Sequence, residues 1–166
     1  MKTSTNIIFR SARQYHAACE RLRVAPTNDE AMQVAYPCIY MAILASELYL
    51  KCLVFRLHGN VPRHHKLERL FGALDANIRS AIVEKWDSHI VTLDQQIAHI
   101  SEHLGSTIDT SFVGALRGAS RANEELRYIW EARAESYTLL QSLPRILQDV
   151  ILHDLGGDWL LNGPHG

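Results

Sequence analysis

Glu47 and Lys51 stand four residues apart in the most apolar stretch of the chain, Ala45-Ser46-Glu47-Leu48-Tyr49-Leu50-Lys51-Cys52-Leu53. On a helix that spacing sets both side chains on one face, and glutamate before lysine is the favourable order for an ion pair. A charge pair in apolar surroundings is costly unless it finds partners. Three readings stay open for it: a solvent-facing pair, a buried network that fixes helix register, or the lining of a functional cleft.

Arg127, Tyr128 and Glu131 form a second set, in Leu126-Arg127-Tyr128-Ile129-Trp130-Glu131. An arginine beside aromatics can stack on a base or grip a phosphate with two parallel hydrogen bonds. The plainer alternative is an ion pair to Glu47 or Glu131 that ties two helices together. The third set is His64-His65-Lys66. At a helix start, imidazoles and a lysine can hold an anion beside free backbone N–H groups. One histidine acting as a helix cap is the simpler reading. His99 and His103 have the i, i+4 spacing with which two imidazoles grip a metal. No third ligand follows at a recognisable offset, so the expectation is a solvated face, with no metal and no cofactor. Gly114, Ala115, Gly118, Ala119 and Ala122 make a small-residue strip suited to close helix packing.

The elements that must carry these groups read as helices throughout. Ile8, Ala12, Tyr15, Cys19 and Leu22 recur at spacings of three and four, predicting a first helix over about residues 5–22. After the Ala25-Pro26-Thr27-Asn28 break comes the longest helix, about 29–57. Pro37 inside it is expected to kink or divide it. From Pro37 to Phe55 only Ser46, Glu47 and Lys51 interrupt the apolar run, the mark of a central helix surrounded by others. Further helices are predicted over about 63–74, from Asp75, from Thr92 to Gly105, from Ser111 to about Ala134, and from Tyr137 to Leu155 with a bend at Pro144. The glycine-rich residues 156–166 read as a loosely held tail. The expected architecture is all-α, an up-and-down bundle of about five to seven helices in one domain over residues 1–155.

Composition bounds the function. The chain has 166 residues, 47% hydrophobic and 21% charged, and a formal net charge of -1. It therefore has no global field to hold a polyanion, though a local basic patch stays open. Cys19, Cys38 and Cys52 are odd in number and contain no C-x-x-C, which reads as reduced buried thiols in a cytoplasmic protein. The first residues lack an apolar segment of signal-peptide type. The run from Cys38 to Leu50 is shorter than a bilayer span, so no membrane is expected as a partner.

Taken in order, Ser46-Glu47-Leu48-Tyr49-Leu50-Lys51, then His65-Lys66-Leu67 with Leu70-Phe71, then Phe112, then Leu126 to Glu131 resemble the HEPN family over roughly residues 5–155. Its members often show E-L-x-L-K, then G-H-x-L-x-x-L-F, then R-Y-x-Y/W-E. Here His64 replaces the glycine. The resemblance implies a bundle of about five helices, a homodimer, and work on RNA or nucleotides. It also implies a toxin–antitoxin or phage-defence setting, with a small nucleotidyltransferase as a protein partner. Glu47, Lys51, His65, Arg127, Tyr128 and Glu131 would then form one ligand site, or else an internal network.

The ribonuclease branch of that family carries R-x4-6-H on a late helix. Arg10 and His16 have five intervening residues but lie on the first helix. Arg145 and His153 have seven, which sets them about 80° apart at 100° per residue. These four are the candidates for metal-independent RNA cleavage. A purely structural or interaction subunit is the remaining alternative.

Overall fold

Ser4 starts the first helix. Its Oγ accepts from the Ile7 N–H at 3.3 Å, so one of the otherwise unbonded first-turn donors is satisfied. The computed structural model describes residues 4–24, 27–105, 107–125 and 137–162. Helix α1 (Thr5–Arg23) turns Ile8, Phe9, Ala12, His16 and Cys19 inward. Helix α2 (Asn28–His58) runs through Pro37 without being divided. The Pro37 ring faces solvent, where its missing N–H does not disturb the packing. Gly59, at φ 68°, ends α2, and its N–H donates to Phe55 O at 2.8 Å.

Four helices follow: α3 (Leu67–Gly72), α4 (Ala76–Thr92), α5 (Asp94–Leu104) and α6 (Phe112–Glu125). The last part of the chain changes winding as it goes. A 3-10 segment (Tyr137–Ser142) leads into α7 (Leu143–Asp149), then a π-turn (Val150–Asp154), then α8 (Trp159–Asn162). Among the described residues no strand forms.

Helix α2 is central, as its all-round apolarity predicts. It packs against α1 most extensively, and also against α3, α6, α7 and the 3-10 segment. Ala42, Ala45, Tyr49, Leu50, Cys52 and Leu53 along it are fully buried. Gln33–His58 has the length and mean hydropathy of a membrane span, but 78% of its most apolar window is buried inside the protein. A surrounded core helix must be apolar on every side, which accounts for this composition.

Trp86 of α4 locks the far side. Fully buried, it donates from Nε1 to Thr110 O at 2.9 Å and meets Phe112 edge-on at 5.6 Å. Phe112 in turn meets Phe71 at 4.8 Å. Such aromatic pairs contribute about 0.5–1.5 kcal/mol beyond area burial.

Two expectations change. Pro144 does not bend a long terminal helix. It sits in the first turn of α7, where a missing N–H costs nothing. Part of the expected tail, within the described residues 156–162, is packed against the domain. Trp159 lies over the Arg56 guanidinium at 4.3 Å, and Leu160 is buried. The packed part of the domain thus extends past residue 155.

Candidate functional site

Ser46 and Glu47 sit where α2 is most enclosed, and both are buried. Ser46 satisfies its hydroxyl within the helix, donating to Ala42 O at 2.8 Å. Glu47, 4% exposed, has no such local solution and needs cations. Lys51, 7% exposed, supplies one a turn later, its Nζ 2.8 Å from Glu47 Oε1. The second donor comes from the segment before α3: His65 Nδ1–H donates to the same oxygen at 2.9 Å. The His65 side chain is 64% exposed. Glu47 Oε2 is buried with no hydrogen-bond partner.

This arrangement separates the readings of the first set. Glu47 and Lys51 are not a solvent-facing pair. They form a buried ion pair with one exposed arm, His65, which pins residues 59–66 to the central helix. A buried pair is stabilising only when its remaining hydrogen-bonding positions are filled. Here one oxygen carries both donors while the other has none, so the network is incomplete within the described residues. Arg127, Tyr128 and Glu131, the proposed second half of the site, lie outside the described residues.

The start of α3 is occupied rather than free. The Leu67 N–H donates to Ser120 Oγ at 3.3 Å, and the Ser120 hydroxyl donates to Glu68 Oε2. An N–H already engaged, with a carboxylate beside it, leaves no setting for an anion. His65 does not cap the helix either. Lys66 is the capping residue, and its side chain makes no cap bond.

The arginine–histidine candidates fall in different surroundings. His16 is buried: its Nδ1–H donates to Gln148 Oε1 at 2.8 Å, and the Tyr49 hydroxyl donates to the same oxygen at 3.0 Å. Burial holds the His16 pKa below the usual 6.5, against the opposing pull of the Gln148 hydrogen bond. Arg10 is exposed on α1. An imidazole held this way in the interior serves packing among α1, α2 and α7.

Arg145 and His153 are both exposed. The winding between them is not α-helical throughout. Leu155 N–H donates to Val150 O at 3.0 Å, a bond that reaches back five residues. A π-turn takes up about one residue more than an α-turn. It therefore narrows the angle between the two side chains from about 80° toward the about 20° expected for six intervening residues. The Arg145 charge also bears on the interior. With burial as the main cause, it helps to lower the pKa of His16 and of His89. Sequence reasoning missed Gln148 and Ser120, which stand in no local pattern, and the interior hydrogen bond of Tyr49, which fills the variable position of E-L-x-L-K.

The model of the HEPN domain matches residues 12–103, more than half of the chain and including Glu47, Lys51 and His65. The chain belongs to the HEPN family. No curated protein and no solved structure matches it. The all-helical architecture is that of the family, and the ion pair of the E-L-x-L-K helix with the following histidine is how this HEPN domain joins its central helix to the α2–α3 connection.

Proposed function

We propose that this HEPN domain binds RNA through the face that carries Arg145 and His153. What supports this reading is the π-turn over Val150–Asp154, in which His153 lies: its wider winding brings the exposed His153 closer in angle to the exposed Arg145 than a straight α-helix would. Arginine pairs with phosphate oxygens through a planar fork of donors. The buried Glu47–Lys51 pair supports the fold on this reading, and His65 is its only strongly exposed member. A homodimer, in which two such faces meet, and a nucleotidyltransferase-type partner in a toxin–antitoxin or phage-defence setting belong to the same proposal.

A second reading, cleavage of RNA without a metal, is favoured by the imidazole at position 153. An arginine that holds the phosphate beside a group able to move protons near neutral pH is the minimum for such chemistry. One experiment addresses both readings. Fluorescent single-stranded RNA is mixed with wild type, Arg145→Ala and His153→Ala in EDTA, with anisotropy reporting binding and denaturing gels reporting cleavage. Binding lost in Arg145→Ala supports the first reading, and cleavage lost in His153→Ala with binding kept supports the second. Equal behaviour of all three would sink both. It would leave a free nucleotide or a protein as the ligand, with co-purification the next step.

A further inference from the structure

Cys19 of α1 and Cys38 of α2 face each other with their sulfurs 3.1 Å apart. Both are buried, at 0% and 2% exposure. With Ala42 they form a small cluster separate from the main core, flanked by Leu22 and Met41. We propose that Cys19 and Cys38 are a redox site, which closes to a disulfide under hydrogen peroxide and opens again with a thiol reductant.

The geometry favours the bond. A disulfide sets its sulfurs at about 2.05 Å, so the pair needs to close by only about 1 Å. Pro37 precedes Cys38 and removes one backbone bond of α2 at this point, which gives the helix local freedom to move. Access for a small oxidant requires local opening of this two-helix cluster, which stands apart from the main core. Reactivity is divided between the two. Donation from the Cys19 S–H and the nearby Arg23 charge lower the Cys38 pKa, while Cys19 is pushed up.

The reaction balances as two thiols and one peroxide giving one disulfide and two waters. The Cys38 thiolate attacks a peroxide oxygen, forming a sulfenic acid and releasing hydroxide. The Cys19 sulfur then attacks the sulfenic sulfur, its proton leaving with the expelled hydroxide as water. Cys52 is the internal control. It lies in the main core, its S–H donates to Thr5 O at 3.4 Å, and burial raises its pKa to about 12.

The test uses the intact protein treated with hydrogen peroxide, blocked with iodoacetamide, digested with trypsin and read by mass spectrometry. Cleavage at Arg21 and Arg23 separates the two cysteines, and cleavage at Lys51 separates Cys52 from both. A linked pair containing Cys19 and Cys38, with Cys52 alkylated, is expected. Closing a loop of this length should raise Tm by about 5–10 °C, and dithiothreitol should reverse the shift. Cys52→Ser should keep the shift, and Cys38→Ser should lose it. The wild-type map stands even if a variant fails to fold. Absence of the linked pair, a pair that includes Cys52, or irreversible oxidation of Cys38 alone would overturn the proposal.

Discussion

Lys51 Nζ stands 2.8 Å from Glu47 Oε1, with both side chains more than nine-tenths buried. At that depth the two charges depend on each other. Lys51→Ala strips Glu47 of its one buried cation among the described residues and leaves the carboxylate with His65. Breaking a buried pair by removing one partner costs about 3–5 kcal/mol. Urea denaturation should show a loss of that size for Lys51→Ala, and the double variant Glu47→Leu with Lys51→Met should recover most of it. His65→Ala removes an exposed arm and should cost less than about 1 kcal/mol. Unchanged stability in Lys51→Ala would mean that the pair does not hold the helix in place.

His16 sets a pH dependence whose sign follows from its environment. Its folded pKa lies below 6.5, mainly because burial disfavours the charged ring. The unfolded chain therefore binds a proton on this residue at a higher pH than the folded chain does. Stability is fully present above about pH 6.5 and falls as pH drops from there toward the folded pKa. His89 has its pKa shifted in the same direction and adds to the slope. The variant His16→Gln removes one titrating group, so its Tm should fall less than that of wild type between pH 7.5 and 5.5. Parallel Tm curves for the two proteins would show that His16 titrates alike in both states.

The helical class, the central place of α2 and the Glu47–Lys51 pair are legible in the sequence because each is a local pattern. Periodicity reports which face is apolar, and an i, i+4 pair needs no tertiary information. Whether that pair faces water or the core is not local, since the Leu and Tyr around it suit either. The Gln148–His16 hydrogen bond joins residues 132 apart, and no spacing rule reaches that far. The π-turn is also hidden. Over five residues an apolar repeat cannot tell bonds that reach back four residues from bonds that reach back five, so the sequence alone sets Arg145 and His153 about 80° apart. Pro144 misleads for a related reason: proline marks either a bend or a helix start, and only the 3-10 segment before it decides.

Ser111 starts α6 and offers a sharper test of local chemistry. Its Oγ accepts from the Gly114 N–H at 3.0 Å, while its own hydroxyl donates to Asp109 Oδ1 at 2.6 Å. The Ser111 hydroxyl first, and then the Ser111 N–H, hold the Asp109 carboxyl below its usual pKa. Ser111→Ala should cost about 1 kcal/mol, the usual value of a lost helix cap. Gly114→Ala should cost less, because a Cβ there displaces only the exposed Asp109 carboxylate from its Ser111 bonds, and alanine is the better helix former. Asp109→Ala clears that space, so Gly114→Ala should be milder in the Asp109→Ala background. A double-variant cycle by thermal denaturation reads the coupling, and strict additivity would show that the two positions do not meet.

Arg145 and His153 should fail in different ways if they share a face. Losing one phosphate contact weakens RNA binding about evenly across sequences and lowers the salt slope of binding by about 1, and Arg145→Ala should do both. Arg145→Lys keeps the charge but not the fork, so the salt slope should return while affinity stays below wild type. His153→Ala should leave both binding quantities close to wild type. If the chain cleaves RNA, the same variant should slow the step by about 100-fold or more, the scale of a lost general acid or base. Anisotropy titrations at several salt concentrations, with single-turnover gels in EDTA, separate these patterns. Matching losses of Tm in the arginine and histidine variants, with RNA behaviour following Tm, would reduce the pair to a structural role.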